Sequence, residues 1–139
     1  MESFSAKDTF EIGKQLAIES KPGDVFCLYG DLGTGKTVFS QGFGCGLGIN
    51  EPISSPTFTI VKTYDEGSLP FYHFDVYRIG DCDEMDEIGY YDYIDGDGVC
   101  LIEWAELIED ILPRHYYKVT ITKDAEKGFD YRQITVEPM

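Results

Sequence analysis

The segment Gly30-Asp31-Leu32-Gly33-Thr34-Gly35-Lys36-Thr37 has the residue types and the spacing of a phosphate-binding P-loop. Its glycines let backbone N–H groups point at phosphates, Lys36 reaches the β- and γ-phosphate oxygens, and the Thr37 hydroxyl is a ligand for Mg²⁺. We therefore predict that ATP and Mg²⁺ bind here. The predicted nucleotide-binding residues are Leu32, Gly33, Thr34, Gly35, Lys36 and Thr37. The alternative is a glycine-rich turn that binds nothing.

Hydrolysis also needs an acidic residue for Mg²⁺ and a group that positions the attacking water. Glu103 directly follows the apolar run at 99–102, where a buried strand beside the P-loop strand would carry its carboxylate to the metal. Asp75 lies in an alternating segment that places His73, Asp75 and Tyr77 on one face. We predict Lys36, Asp75 and Glu103 as catalytic residues, and Thr37 and Glu103 as metal ligands.

Each of these carboxylates also has a simpler interpretation. Glu103 could be an ordinary solvent-facing residue after a strand, and Asp75 could belong to a structural hydrogen-bond network on an exposed sheet face. His73 has no second His or Cys at metal-binding spacing, so we interpret it as structural rather than as a ligand. Arg78 could neutralise charge in the transition state or pair with one of the many acidic residues.

The elements that must position these groups can be predicted from periodicity and turn residues. Helices are predicted at about 6–19 and 36–47, one short helix within 81–97, and helical turns at 105–112. Strands are predicted at 25–29, 58–64, 71–77, 99–102, 116–122 and 130–137. Because Asp65–Ser68 between two strands favours an antiparallel hairpin, the sheet should be mixed. We predict an α/β fold: one P-loop NTPase-type domain over residues 1–139, with a mixed β-sheet, flanking helices and an inserted antiparallel hairpin.

Composition narrows the possible partners. The formal net charge is −15, from 26 acidic and 11 basic residues, which argues against tight direct binding of nucleic acid. The acidic segment, residues 79–113, holds twelve carboxylates and no Lys or Arg. It is either a solvated face or a docking face for a basic partner. The four cysteines show no metal-binding or disulfide pattern, and no apolar run approaches membrane-spanning length, so we predict a cytoplasmic protein without a membrane partner.

Four motifs together resemble the bacterial TsaE family, the ATPase of tRNA threonylcarbamoyladenosine (t6A) synthesis. They are GDLGTGKT at 30–37, SPTF at 55–58, HFDVYR at 73–78 and IEW at 102–104, and they occur in the family's order. The resemblance implies a P-loop fold and ATP hydrolysis that is slow or stimulated by partners. It also implies a complex with TsaB and TsaD type subunits, which modify adenosine 37 of tRNAs reading ANN codons, so that tRNA is contacted only indirectly.

The resemblance also carries site residues. It implies that Ser55 and Thr57 lie in a switch segment, that Arg132 lies near the nucleotide, and that the surroundings of Phe4 approach the adenine. Ala105 departs from the pattern, because many members have Pro after the Trp.

Two other functions fit a P-loop. One is a small-molecule or nucleotide kinase, although such enzymes add a lid with several arginines, and this chain has three Arg in all. The other is an interaction module that binds ATP as a switch without hydrolysing it.

Overall fold

A computed structural model of the chain describes residues 1–30, 33–54, 56 and 60–139. The helices are α1 (Ala6–Glu19), α2 (Lys36–Gly46), α3 (Asp83–Glu87) and α4 (Tyr90–Ile94), with 3₁₀ segments at Ala105–Ile111 and Ala125–Lys127. The strands are β1 (Glu2–Ser3), β2 (Val25–Tyr29), β3 (Val61–Tyr64), β4 (Phe71–Asp75), β5 (Val99–Glu103), β6 (Tyr117–Lys123) and β7 (Arg132–Pro138).

All of these strands join one sheet in the order β1-β7-β6-β2-β5-β4-β3. The centre is parallel, because β2 pairs in parallel with β5 and β6, and β4 pairs in parallel with β5. The edges are antiparallel, through the β3–β4 hairpin and the β6–β7 and β1–β7 pairs. The predicted mixed α/β sheet with flanking helices and an inserted hairpin is confirmed.

Helix α1 begins where the sequence predicts, because its first turn is capped from both directions. The Asp8 backbone N–H donates to Ser5 Oγ at 3.2 Å, and the Asp8 carboxylate accepts from the Phe4 N–H at 3.0 Å. The helix ends before Gly23, whose φ of +88° makes the turn into β2.

Two glycines of α2, Gly42 and Gly46, let the helix lie directly against α1. A Cβ at Gly42 would collide with the Phe10 carbonyl oxygen, and one at Gly46 with the Lys14 carbonyl oxygen. The other side of α2 buries Phe39 and Phe43 against the sheet. The close packing with α1 therefore requires glycine at these positions, although glycine weakens a helix.

A second apolar cluster covers the opposite face of the sheet. Met85 of α3, Tyr90 of α4 and Ile108 of the first 3₁₀ segment pack there against Cys27 and Ile102. The sheet thus lies between two layers, as its buried central strands require.

Several boundaries differ from the sequence-based prediction. Residues 81–97 form two short helices rather than one, and the short strand β1 was not predicted. Strand β4 ends at Asp75 instead of continuing to Tyr77, because the Asp75 carboxylate accepts the Tyr77 N–H at 3.0 Å and turns the chain. The predicted strand at 58–64 is observed from Val61, and Phe58 and Thr59 lie outside the described residues.

Within the described ranges, no helix is long and apolar enough to span a bilayer.

The substitution Gly42→Ala tests the contact between α1 and α2. Relative to glycine, alanine stabilises a helix by about 1 kcal/mol, but its methyl group would collide with the Phe10 backbone. We expect the collision to prevail and to lower the free energy of unfolding by about 1–3 kcal/mol in urea denaturation. Cys45→Ala, on the exposed side of the same helix, is the control and should change it little. A Gly42→Ala protein at least as stable as the parent would contradict this packing.

Candidate functional site

The P-loop segment joins the end of β2 to the start of α2. Gly33 and Gly35 have φ values of +79° and +102°, which side-chain-bearing residues rarely adopt. Helix α2 begins at Lys36 immediately afterwards, so the first backbone N–H groups of this 11-residue helix lie at the same glycine turn. This is the geometry of an anion cradle. Leu32, also predicted to bind nucleotide, lies outside the described residues.

Strands β5 and β4 bring both predicted carboxylates to this cradle. Glu103 is the register partner of Leu28 on β2, and Asp75 is the register partner of Glu103. The result is the P-loop cleft, a cavity of about 370 Å³ within the usual range for ligand sites. It is lined by Gly33, Gly35, Lys36, Thr37, Val38, Asp75, Glu103 and Trp104.

Glu103 is not a solvent-facing residue, since only 3% of its surface is exposed. Its Oε2 lies 2.6 Å from Nε2 of His73, which is fully buried. The sheet face that carries His73 is therefore covered, rather than exposed as the structural interpretation of Asp75 supposed. Tyr77 lies beyond the end of β4 and packs on Trp104, with ring centroids 4.7 Å apart.

Trp104 has a role in the cleft that the sequence did not indicate. Its φ of +63° is unusual for a residue with a large side chain. The Lys36 ammonium lies 3.6 Å from the centroid of the indole ring, a cation–π contact. The side chain that should meet phosphate is thus held over an aromatic ring at the wall of the cleft.

Asp75 has an environment that favours its neutral form. Burial raises the pKa of its carboxyl, and the negative charge of Glu103 raises it further, against the opposing effects of the Tyr77 N–H, His73 and Lys36. Its backbone N–H donates to the Ile60 carbonyl at 2.8 Å, and Ile60 itself has a φ of +66°. Both described non-glycine residues with positive φ therefore adjoin the backbone of a residue whose carboxylate lines the cleft: Ile60 bonds to the Asp75 N–H, and Trp104 follows Glu103.

Arg132, which the resemblance places near the nucleotide, lies beside the P-loop. Its Nε donates to the Thr34 carbonyl at 2.9 Å, and a terminal nitrogen is 3.4 Å from the Gly33 carbonyl. Lys123, which the sequence analysis missed, places Nζ next to Gly33. Only the pairing of β6 with β7 brings Lys123 and Arg132 together, so no local signal in the sequence could have found this lysine.

A smaller cavity of about 160 Å³ lies on the other side of the P-loop. It is lined by Ser5, Ala6, Thr9, Gly33, Thr34, Gly35, Val38, Asp130 and Arg132. Phe4 directly precedes Ser5, which lines this cavity. Its side chain is 61% exposed and packs edge-on against Tyr131. The predicted switch residues Ser55 and Thr57 lie outside the described residues, whereas Pro56 lines a third small cavity with Asp75, Tyr77 and Arg78.

The donor set of the P-loop cleft suits Mg²⁺ bound together with a polyphosphate. The described residues contain no group of three or more His, Cys, Asp or Glu side chains that could hold a metal by themselves. The cleft instead offers the Thr37 hydroxyl with the carboxylates of Glu103 and Asp75. Mg²⁺ is usually held in this way, by one or two carboxylates and by substrate phosphates.

The raised pKa of Asp75 predicts how the stability of the folded protein depends on pH. The folded protein keeps the Asp75 proton at pH values where the unfolded chain has lost it. The contribution of Asp75 to stability therefore falls as the pH rises above the ordinary pKa of 3.8 and through the raised pKa of the folded state. Asp75→Asn should therefore raise the melting temperature at pH 7 by about 1–3 °C and flatten its dependence on pH. Asp110→Asn, at an exposed carboxylate, controls for the lost charge. Equal melting curves for the two variants would contradict the prediction.

Comparison with known proteins identifies the family. The family model described as threonylcarbamoyl adenosine biosynthesis protein TsaE matches residues 3–134. A Bacillus subtilis protein named tRNA threonylcarbamoyladenosine biosynthesis protein TsaE is 50% identical over 129 residues, which cover 93% of this chain and 78% of that protein. A Treponema pallidum protein of the same name is 43% identical over 134 residues, 96% of each chain. The crystal structure of Bacillus subtilis YdiB matches with a TM-score of 0.80 and 43% identity, over 98% of this chain and 82% of that one. The chain belongs to the TsaE family of tRNA threonylcarbamoyladenosine biosynthesis.

Proposed function

We propose that this chain binds ATP with Mg²⁺ and hydrolyses it as a subunit of a complex that makes t6A at adenosine 37 of tRNAs reading ANN codons. The observation that carries the proposal is the P-loop cleft, in which Lys36 and Thr37 face Asp75 and Glu103. The family membership supplies the pathway. The cytoplasm, where tRNA is modified, is the proposed location.

Each group of the cleft has a distinct part in this proposal. Backbone N–H groups at the start of α2 and the Lys36 ammonium bind the β- and γ-phosphates. Thr37 and Glu103 would hold Mg²⁺, which neutralises phosphate charge when it is bound. Asp75, at the same edge of the sheet, orients the attacking water by accepting a hydrogen bond from it. Arg132 holds the P-loop backbone through its carbonyls.

The contact between Lys36 and Trp104 must change when a triphosphate binds. The ammonium lies over the indole ring, and a phosphate oxygen is a stronger partner for it than an aromatic face. Trp104 is the only tryptophan of the chain, so its fluorescence reports on this rearrangement directly.

The partners that we propose are TsaB and TsaD type subunits, with tRNA contacted only through them. A net charge of −15 disfavours direct binding of the tRNA backbone. The acidic segment adds exposed carboxylates on α3, on α4 and on the 3₁₀ segment after β5, next to the elements that carry Glu103 and Trp104. A basic partner surface docked there would lie close to the P-loop cleft.

Two measurements distinguish the proposed ATPase from a non-hydrolysing switch and from a kinase. Release of inorganic phosphate with and without the partners distinguishes an ATPase from a non-hydrolysing switch. A phosphorylated product from a panel of nucleosides and metabolites would instead identify a kinase.

Substitution of the cleft residues tests the proposed ATP site. Lys36→Ala removes the phosphate-binding ammonium and should weaken ATP binding by about 10–100-fold, as measured by isothermal titration calorimetry, because this variant lacks the contact that Trp104 fluorescence reports. Glu103→Gln should reduce partner-stimulated phosphate release by at least about tenfold while the protein stays folded. Lys21→Ala, in the exposed turn before β2, is the control. If both cleft variants bind and hydrolyse ATP like the parent, the site is assigned wrongly.

Charge reversal tests the proposed docking face. Asp86→Lys combined with Glu87→Lys changes two exposed carboxylates of α3 and should weaken the complex with the partner subunits by about tenfold at low salt. The difference from the parent should shrink as salt is added, because screening reduces long-range attraction. Glu11→Lys with Glu19→Lys, on α1, makes the same change in net charge elsewhere. Equal losses in both double variants would show an effect of net charge without a docking face at α3.

A further inference from the structure

Glu103 lines the P-loop cleft, and its contact with His73 is buried. His73 Nε2 lies 2.6 Å from Glu103 Oε2, and both residues are at most 3% exposed. The imidazole stacks on Phe71, two residues earlier on β4, with ring centroids 5.8 Å apart and planes 10° apart. The ring is therefore fixed on one face and is tied to Glu103 at its edge.

The surroundings of His73 do not require a polar residue for packing. Its neighbours on this face of the sheet include Phe71 and Leu101, and an apolar side chain would fill the same space. Among the described residues, His73 Nδ1 has no hydrogen-bond partner, so burial of the ring costs free energy that only Nε2 offsets. A carboxylate accepts hydrogen bonds, so the proton of the ring is assigned to Nε2, which donates to Glu103.

The sheet register explains why Glu103 needs such a partner. Asp75 lies directly opposite Glu103, and the mutual repulsion of their charges contributes to the raised pKa of Asp75. A glutamate side chain also has several rotatable bonds at the end of a strand. His73 lies opposite Leu101, two residues before Glu103, and so reaches the carboxylate diagonally across the β4–β5 pair.

We propose that His73 is a positioning residue that holds the Glu103 carboxylate in the orientation needed to meet Mg²⁺ delivered with ATP. The inference rests on the proposed ATP and Mg²⁺ site. Residues that hydrogen-bond to a metal ligand typically change metal affinity or activity by about 10–100-fold when they are replaced. His73 should accordingly affect the part of ATP binding that depends on Mg²⁺ and leave the remainder unchanged.

The test compares two substitutions of His73 that differ in hydrogen bonding. His73→Leu fills the space without a donor, whereas His73→Gln places an amide N–H close to the position of Nε2. ATP affinity is measured by Trp104 fluorescence in EDTA and again in Mg²⁺. The readout is the ratio of the affinity in Mg²⁺ to the affinity in EDTA. We expect His73→Leu to lower this ratio by about 10–100-fold with little change in EDTA, and His73→Gln to restore it to within about threefold of the parent.

A control deletes another buried polar group of the same aromatic stack. Tyr64 stacks on Phe71, and its hydroxyl is buried without a hydrogen-bond partner among the described residues. Tyr64→Phe should leave the Mg²⁺ ratio unchanged. If His73→Leu fails to fold by circular dichroism, His73→Asn, whose amide is too short to reach Glu103, replaces it with the same expected loss.

The outcomes distinguish the inference from the proposed function. If the parent shows no effect of Mg²⁺ on ATP affinity, the proposed ATP and Mg²⁺ site is wrong. If the parent shows the effect and His73→Leu keeps it, the positioning role is wrong. Loss of the effect in His73→Leu and His73→Gln alike would also overturn the inference, because hydrogen bonding to Glu103 would then not be the property that matters.

Discussion

Parallel hydrogen bonding of β5 with both β2 and β4 is the constraint on which the site depends. Parallel strands end at the same edge of a sheet, so the P-loop after β2 and the carboxylates at the ends of β4 and β5 come together without a dedicated loop. The register is specified strongly because β5 is buried throughout. A slip of one residue would turn Glu103 to the opposite face of the sheet and direct Ile102 toward α2.

The helices fix the other half of the cleft. Helix α2 begins at Lys36, directly after the glycine turn that follows β2, and it is held there by two different surfaces. Phe39 and Phe43 bury against the sheet, while Gly42 and Gly46 let the backbone of α1 lie against the opposite side. Because little space remains on either side, the start of α2 cannot shift relative to Glu103 without disrupting a packed interface.

The sequence is sufficient to predict those features that follow from local pattern and from the general behaviour of parallel sheets. The P-loop turn, α1, β2, α2 and the position of Glu103 at the end of β5 belong to this class, whereas the end of β4 at Asp75 depends on the turn that its carboxylate makes with the Tyr77 N–H. The contact of Trp104 with Lys36 does not, because it depends on one residue with a positive φ. The hydrogen bond from His73 to Glu103 requires the exact register, and β1 is too short to have a pattern of its own. The roles of Leu32, Ser55 and Thr57 stay predictions, as do ATP, Mg²⁺ and the TsaB and TsaD type partners.

The positions of the basic groups around the P-loop have a kinetic consequence. Lys36, Lys123 and Arg132 all lie at the glycine turn, in a chain whose formal net charge is −15. A polyanion approaching from solution is repelled by most of the surface, whereas these three cations attract it at the glycine turn, so the electric field guides it toward this edge. Dissolved salt weakens the long-range repulsion more than the short-range attraction. The rate of nucleotide capture should therefore resist, or even benefit from, the ionic strength that slows association with basic proteins.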